Sequence, residues 1–176
     1  GALRDVGQNH LLQMLALVTM ENPRILDSFH VREKRAEALR TLGVLTKDEI
    51  KTNTYRAQYR GYRDIDGVSK DSKTETYFKV TTHLENPRWS GVHITLEAGK
   101  KLPLKKEIVV TFKHPTPCLC PRDGEHLKNR VIFSLEPKEG ITIEFWSKKP
   151  GLEYKFSKRN LNFVYRKVNE RLQYVE

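Results

Sequence analysis

Long apolar runs are missing from this sequence. No window approaches the roughly 18 consecutive apolar residues that a membrane-spanning helix requires. A secretory leader is not expected either, because Arg4, Asp5 and His10 interrupt the opening segment and no small-residue cleavage site follows. Cysteine is scarce. The two present, Cys118 and Cys120, are one residue apart. A disulfide between such near neighbours is strained, so nothing argues for an oxidising compartment. The expected setting is reduced and cytoplasmic. Internal repeats, low-complexity linkers and RNA-binding signatures are also lacking.

Charge is plentiful. Lysine and arginine total 32 against 22 acids, a net charge of +10. That excess attracts anions, whether nucleic acid, lipid headgroups or phosphorylated metabolites, and alone selects none of them. Tyr55, Tyr59, Tyr62 and Tyr77 could stack on bases. The basic residues are nevertheless interleaved with acids rather than gathered in a stripe, so nucleic acid is not the expected partner. A basic non-catalytic nucleic-acid-binding module, or a structural oligomerisation module, remains the alternative reading.

The apolar pattern divides the chain. Leu11, Leu12, Met14, Leu15, Leu17 and Val18 predict a helix from about Asp5 to Met20, dense enough in apolar residues for burial on more than one side. Asn22-Pro23 closes it. A second helix is expected from about His30 to Leu42, with Ser28 as its cap. Residues 52–73 read as a long loop. Strands are then expected at 77–84, 92–96, 108–112, 131–135 and 141–146, with a weaker run at 161–165. Gly140, ending the connection from Glu136, is expected at positive φ. The predicted class is α+β: two amino-terminal helices followed by a large, mainly antiparallel sheet. Residues 1–45 would be helical and 74–165 mostly sheet, in one domain spanning 1–176. The stop at Tyr174-Val-Glu176 carries no closing signal, as an excised domain would show.

Three motifs carry more than pattern: Arg4-Asp-x-x-Gln-Asn-His10-Leu-x-Gln13, Arg88-Trp89-Ser-Gly91-Val92, and Ala98-Gly99-Lys100-Lys-Leu102. With Gln58-Tyr59-x-Gly61-Tyr62, Thr74-Glu75-Thr76 and Lys148-Lys149-Pro150-Gly151, they make the chain resemble the carboxy-terminal part of the glucose-6-phosphate dehydrogenase family. The resemblance implies an oxidoreductase that passes hydride from C1 of glucose 6-phosphate to NADP, at the entry to the pentose phosphate pathway. It implies a dimer, or higher homo-oligomer, formed through the sheet. It also implies that the glycine-rich nucleotide turn and the catalytic histidine lie upstream. No catalytic residue is therefore expected in this stretch, which alone would fold but be inert. His10 reads as a helix histidine hydrogen-bonded to neighbouring backbone.

The resemblance makes Lys100 the residue that reaches the sugar phosphate, an ammonium suiting that task as a mobile point charge with three donors. Lys105 matches a second substrate-contacting position. Lys106 lies near a position that binds a second, structural NADP in some members. Without the resemblance, Lys100, Lys101, Lys105 and Lys106 read as a solvated basic turn. The chain departs from the family at Glu97, where an arginine is usual, at Glu136, often glutamine, and at Asn162, where some members carry an acid. These departures weaken the case for a structural nucleotide site. His114, Cys118, Cys120 and His126 form a His-x3-Cys-x-Cys-x5-His set of legitimate zinc ligands. The Cys-x-Cys spacing is unusual for a structural finger, so no metal is expected.

Overall fold

The computed structural model describes residues 1–114, 117, 118, 120 and 126–165. The chain divides into two compact units at Leu102/Pro103. The class is α+β and every strand pairing is antiparallel, with the strands distributed over two sheets.

The first unit opens with a helix that starts as a π-helix, Leu3–Leu11, and continues as α1, Leu12–Thr19. Its burial is one-sided. Leu15, Ala16 and Thr19 are buried, whereas Leu17 is 50% exposed, so the two-sided burial expected from apolar density is not realised within this unit. Helix α2, Ser28–Arg40, packs on α1. Its cap is Asp27 rather than Ser28: the Asp27 carboxylate accepts the His30 backbone N–H at 2.8 Å. That bond, reinforced by the His30 side chain, holds the carboxyl below its usual range. A carboxylate here also meets the positive end of the helix dipole.

The expected long loop, 52–73, holds the end of a further helix and a short strand. Helix α3, Lys47–Asn53, is nucleated by a reciprocal capping box between Thr46 and Glu49. It runs into β1, Thr54–Ala57, which pairs with β2, Tyr77–Thr82. Strand β3, Ile94–Gly99, completes this sheet in the order β1-β2-β3. Phe78 of β2 is 1% exposed and anchors the core with Leu84, Leu15 and Ala16. Truncating such a side chain to alanine typically costs about 3–5 kcal/mol. The Arg88-Trp89 motif ties this sheet to the helices. The Trp89 indole donates to the free Thr19 carbonyl at the end of α1, at 3.0 Å, and Arg88 pairs with Glu21 at 2.6 Å.

The second unit is a four-stranded meander of β4 (Lys106–Thr111), β5 (Arg130–Glu136), β6 (Gly140–Lys148) and β7 (Phe156–Val164). Gly140 is not at positive φ. It is needed for close approach, since a Cβ there would lie 2.7 Å from the Phe163 carbonyl oxygen. The register puts Phe133, Ile141 and Phe163 on one face, with Val131, Ile143 and Leu161 beside them. The opposite face carries Glu144, flanked by Arg130 and Lys158. The chain end at 174–176 lies outside the described residues.

Candidate functional site

Lys100 follows directly on β3, where the backbone is pinned. Its N–H donates to the Thr76 carbonyl at 2.8 Å, and Thr76 itself is buried. The Thr76 N–H donates to the Ala57 carbonyl, and its hydroxyl accepts the Tyr59 N–H at 2.9 Å. Gln58 clamps the neighbouring loop, donating to the carbonyls of Ser72 and Thr74 and accepting from Arg63. Three segments thus converge on one corner of the sheet, which explains the family-like Gln58-Tyr59 and Thr74-Glu-Thr76 stretches. Gly99 is required there, because a Cβ would meet the Tyr77 ring at 2.7 Å and Leu102 at 3.0 Å.

The lysines of this turn have different fates. Lys101 adopts φ 61° and lays its ammonium over the Tyr59 ring, 4.2 Å from the centroid. That is a cation–π geometry. Lys100 is exposed and makes no ion pair among the described residues. Its neighbour Glu97 accepts a hydrogen bond from the Tyr77 hydroxyl at 2.8 Å. That bond raises the Tyr77 hydroxyl above its ordinary value of 10.0. In the second unit, Lys105 pairs with Glu107 at 2.8 Å and Lys106 with Glu136 at 2.9 Å. The Glu136 departure is therefore the partner of Lys106, directly across the sheet.

Two clefts of about 620 and 610 Å³ open in the first unit, and Lys100 lines neither. The first lies between α3 and the segment 81–93, and the second between the opening helix and the Phe78 face of the sheet. The site therefore rests on an unpaired cation at a rigid sheet corner rather than on a cavity.

His10 differs from its expected role. It lies in the π-helical segment and is exposed, and its ring has no hydrogen-bond partner among the described residues. Asp5 precedes it by five residues, one step of a π-helix's i→i+5 bonding, so the two are neighbours along that helix. Gln8 and Asn9 are exposed as well, whereas Gly7 packs on Phe78. Of the motif's polar side chains, Gln13 accepts a hydrogen bond from Arg35 of α2 at 3.2 Å, whereas Gln8, Asn9 and His10 are not consumed by packing within this unit.

A family model described as the C-terminal domain of glucose-6-phosphate dehydrogenase matches residues 1–175. Glucose-6-phosphate 1-dehydrogenase of Borreliella burgdorferi is 37% identical over 183 residues, covering 98% of this chain and 38% of the relative. That of Mycobacterium tuberculosis is 41% identical over 146 residues, covering 82% and 30%. Among solved structures, the enzyme from Mycobacterium avium superposes with a TM-score of 0.81 at 35% identity, over 94% of this chain and 36% of that one. A glucose-6-phosphate dehydrogenase in complex with its substrate gives 0.80 at 32% identity, over 94% and 34%. The chain spans about a third of the length of the relatives it matches. It belongs to the glucose-6-phosphate dehydrogenase family, as that family's C-terminal domain.

Proposed function

We propose that the whole protein oxidises glucose 6-phosphate to 6-phosphogluconolactone with NADP, at the entry to the pentose phosphate pathway in the cytoplasm. This chain would supply part of the sugar-phosphate site and the subunit interface. The observation that carries the reading is the family match along the whole chain, joined to a free lysine at the matching motif. NADP is bound mainly by the upstream part of the protein, which also holds the glycine-rich turn.

Lys100 is the phosphate anchor. Its backbone is fixed at Thr76, and its ammonium is not committed to a carboxylate among the described residues. Lys105 is a second substrate contact. The lysine end of its pair with Glu107 is exposed, and surface pairs of this kind are worth about 0–1 kcal/mol, so a dianionic phosphate can compete for it. Lys106, assigned to a structural NADP, is held by Glu136 where the family often has a neutral glutamine. The sheet of the second unit supports a homodimer: Leu161 and Phe163 are 60% and 57% exposed on its apolar face.

His10 enters the proposal as a proton acceptor, because its imidazole is exposed and unengaged among the described residues. His10→Asn in the whole protein is expected to lower kcat by at least about a hundredfold, as loss of a general base does. An undiminished kcat would return the base to the upstream part, as the resemblance implied.

The direct test is NADP reduction by the whole protein with glucose 6-phosphate. Turnover supports the proposal. A folded whole protein without turnover would favour the module readings, and nucleic-acid affinity that collapses between low and moderate salt would mark that binding as incidental.

A further inference from the structure

The connection between β4 and β5 holds a set of side chains that the dehydrogenase reading does not use. Its base is closed by backbone and side-chain bonds. The Phe112 N–H donates to the Asn129 carbonyl at 3.0 Å, and the Asn129 side chain accepts the Trp146 N–H at 3.0 Å. Beyond that clamp stand His114, Cys118, Cys120 and His126, whose potential ligand atoms all lie within 4.8 Å of one another.

The contacts inside the cluster are specific. Cys120 Sγ lies 3.0 Å from His114 Nε2, and Cys118 Sγ lies 3.7 Å from His126 Nδ1. Two backbone amides also point at the sulfurs: Cys120 N–H to Cys118 Sγ at 3.3 Å, and Leu127 N–H to Cys120 Sγ at 3.2 Å. A neutral thiol is a weak acceptor, so amide donors converging on sulfur suit a thiolate. His114 is half-buried. Its Nδ1 is fully enclosed with no hydrogen-bond partner among the described residues, and its Nε2 faces the Cys120 sulfur.

We propose that these four residues form a structural zinc site. Two thiolates and two imidazoles are the donor set that selects tetrahedral Zn²⁺. Zn–S bonds of about 2.3 Å and Zn–N bonds of about 2.0–2.1 Å imply ligand–ligand edges of roughly 3.3–3.8 Å in a tetrahedron. The observed 3.0 and 3.7 Å separations need only small adjustments to meet that range. The two thiolate charges neutralise the ion, and the two amides supply its outer hydrogen bonds. Protein ligands fill all four positions and leave none for water or substrate, which makes the role structural. The ion would fasten the β4–β5 connection, whose ends the strand pairing already brings together.

The spacing argues against a metal only if the ligands must come from a finger's own turn. Here the sheet brings His114 and His126 together from opposite ends of a loop, with ring centroids 4.9 Å apart. Cys-x-Cys then has only to supply two adjacent corners.

The test is metal analysis of the intact protein, purified without chelator, followed by exchange with Co²⁺. About one equivalent of zinc per chain is expected for a closed four-ligand site. The cobalt form should show the visible absorption of tetrahedral Co²⁺ and a near-ultraviolet thiolate charge-transfer band. Cys120→Ser, a near-isosteric change, should abolish both, and His126→Ala should weaken retention while circular dichroism confirms the fold. Chelation should lower the melting temperature of the unaltered protein and leave that of Cys120→Ser unchanged. Folded protein with no zinc and no cobalt band would overturn the site. So would a native Cys118–Cys120 disulfide, or metal retained undiminished in Cys120→Ser.

Discussion

Glu144 is a carboxylate at 8% exposure, and it stays ionised because the strands on either side bring it cations. Lys158 of β7 donates to Oε1 at 3.2 Å, and the Arg130 guanidinium of β5 lies 2.6 Å from Oε2. The hydrogen bond from Lys158, then the Arg130 charge, hold its carboxyl below the ordinary 4.5. A folded-state value below the unfolded one gives stability that is present above about pH 4.5 and is lost as pH falls through the folded value. Glu144→Gln should therefore be less stable at pH 7, and the two proteins should converge on acidification. Denaturant melts between neutral and acid pH would check this, and parallel curves would contradict it. The same dependence on partners limits what single residues disclosed beforehand. The basic turn at 100–106 is legible as a run of lysines. That Lys101 lies on Tyr59, and Lys106 on Glu136, depends on a register that no local pattern displays. Glu97 reads as a departure where an arginine is usual, yet it accepts a hydrogen bond from the Tyr77 hydroxyl of the next strand.

At the scale of elements, the apolar periodicities of the first two helices and the β-branched runs of the later strands were readable. Each carries its own burial signal along the chain. α3 and β1 were not read. β1 is four residues, Thr-Tyr-Arg-Ala, whose strand character comes from pairing with β2 rather than from its own side chains. α3 offered one local sign, Thr46 with Glu49 three residues on, which the polar surroundings obscured. The Thr46 hydroxyl accepts the Glu49 N–H at 3.3 Å, and Glu49 accepts the Thr46 N–H at 2.8 Å. Thr46→Ala removes the first of these and should cost about 1 kcal/mol. Thermal melts of the variant would check it, and an unchanged midpoint would show that α3 is held by its contacts with β1 and β2 instead. Ser28 and Asp27 teach a related lesson: two adjacent residues can both cap a helix, and only the backbone entry angle decides which one does.

At the scale of the whole molecule, the sequence motifs disclosed the family, because long signatures such as Arg4–Gln13 persist where short patterns do not. The apolar sheet face became visible only with the strand register. Phe133, Ile143, Leu161 and Phe163 lie together there, each at least 36% exposed. If that face is the subunit interface, Leu161→Asp with Phe163→Asp should shift the whole protein from dimer to monomer in sedimentation experiments. A dimer that survives both charges would move the interface elsewhere. The account depends most on Lys100 as the group that holds the sugar phosphate. Its sharpest test is the steady-state KM for glucose 6-phosphate of the whole protein beside its Lys100→Ala variant. Losing one charge-assisted contact of about 1.5–3 kcal/mol should raise KM by roughly ten- to a hundredfold, with kcat changed much less. An unchanged KM in a folded, active variant would remove Lys100 from the site and contradict the account.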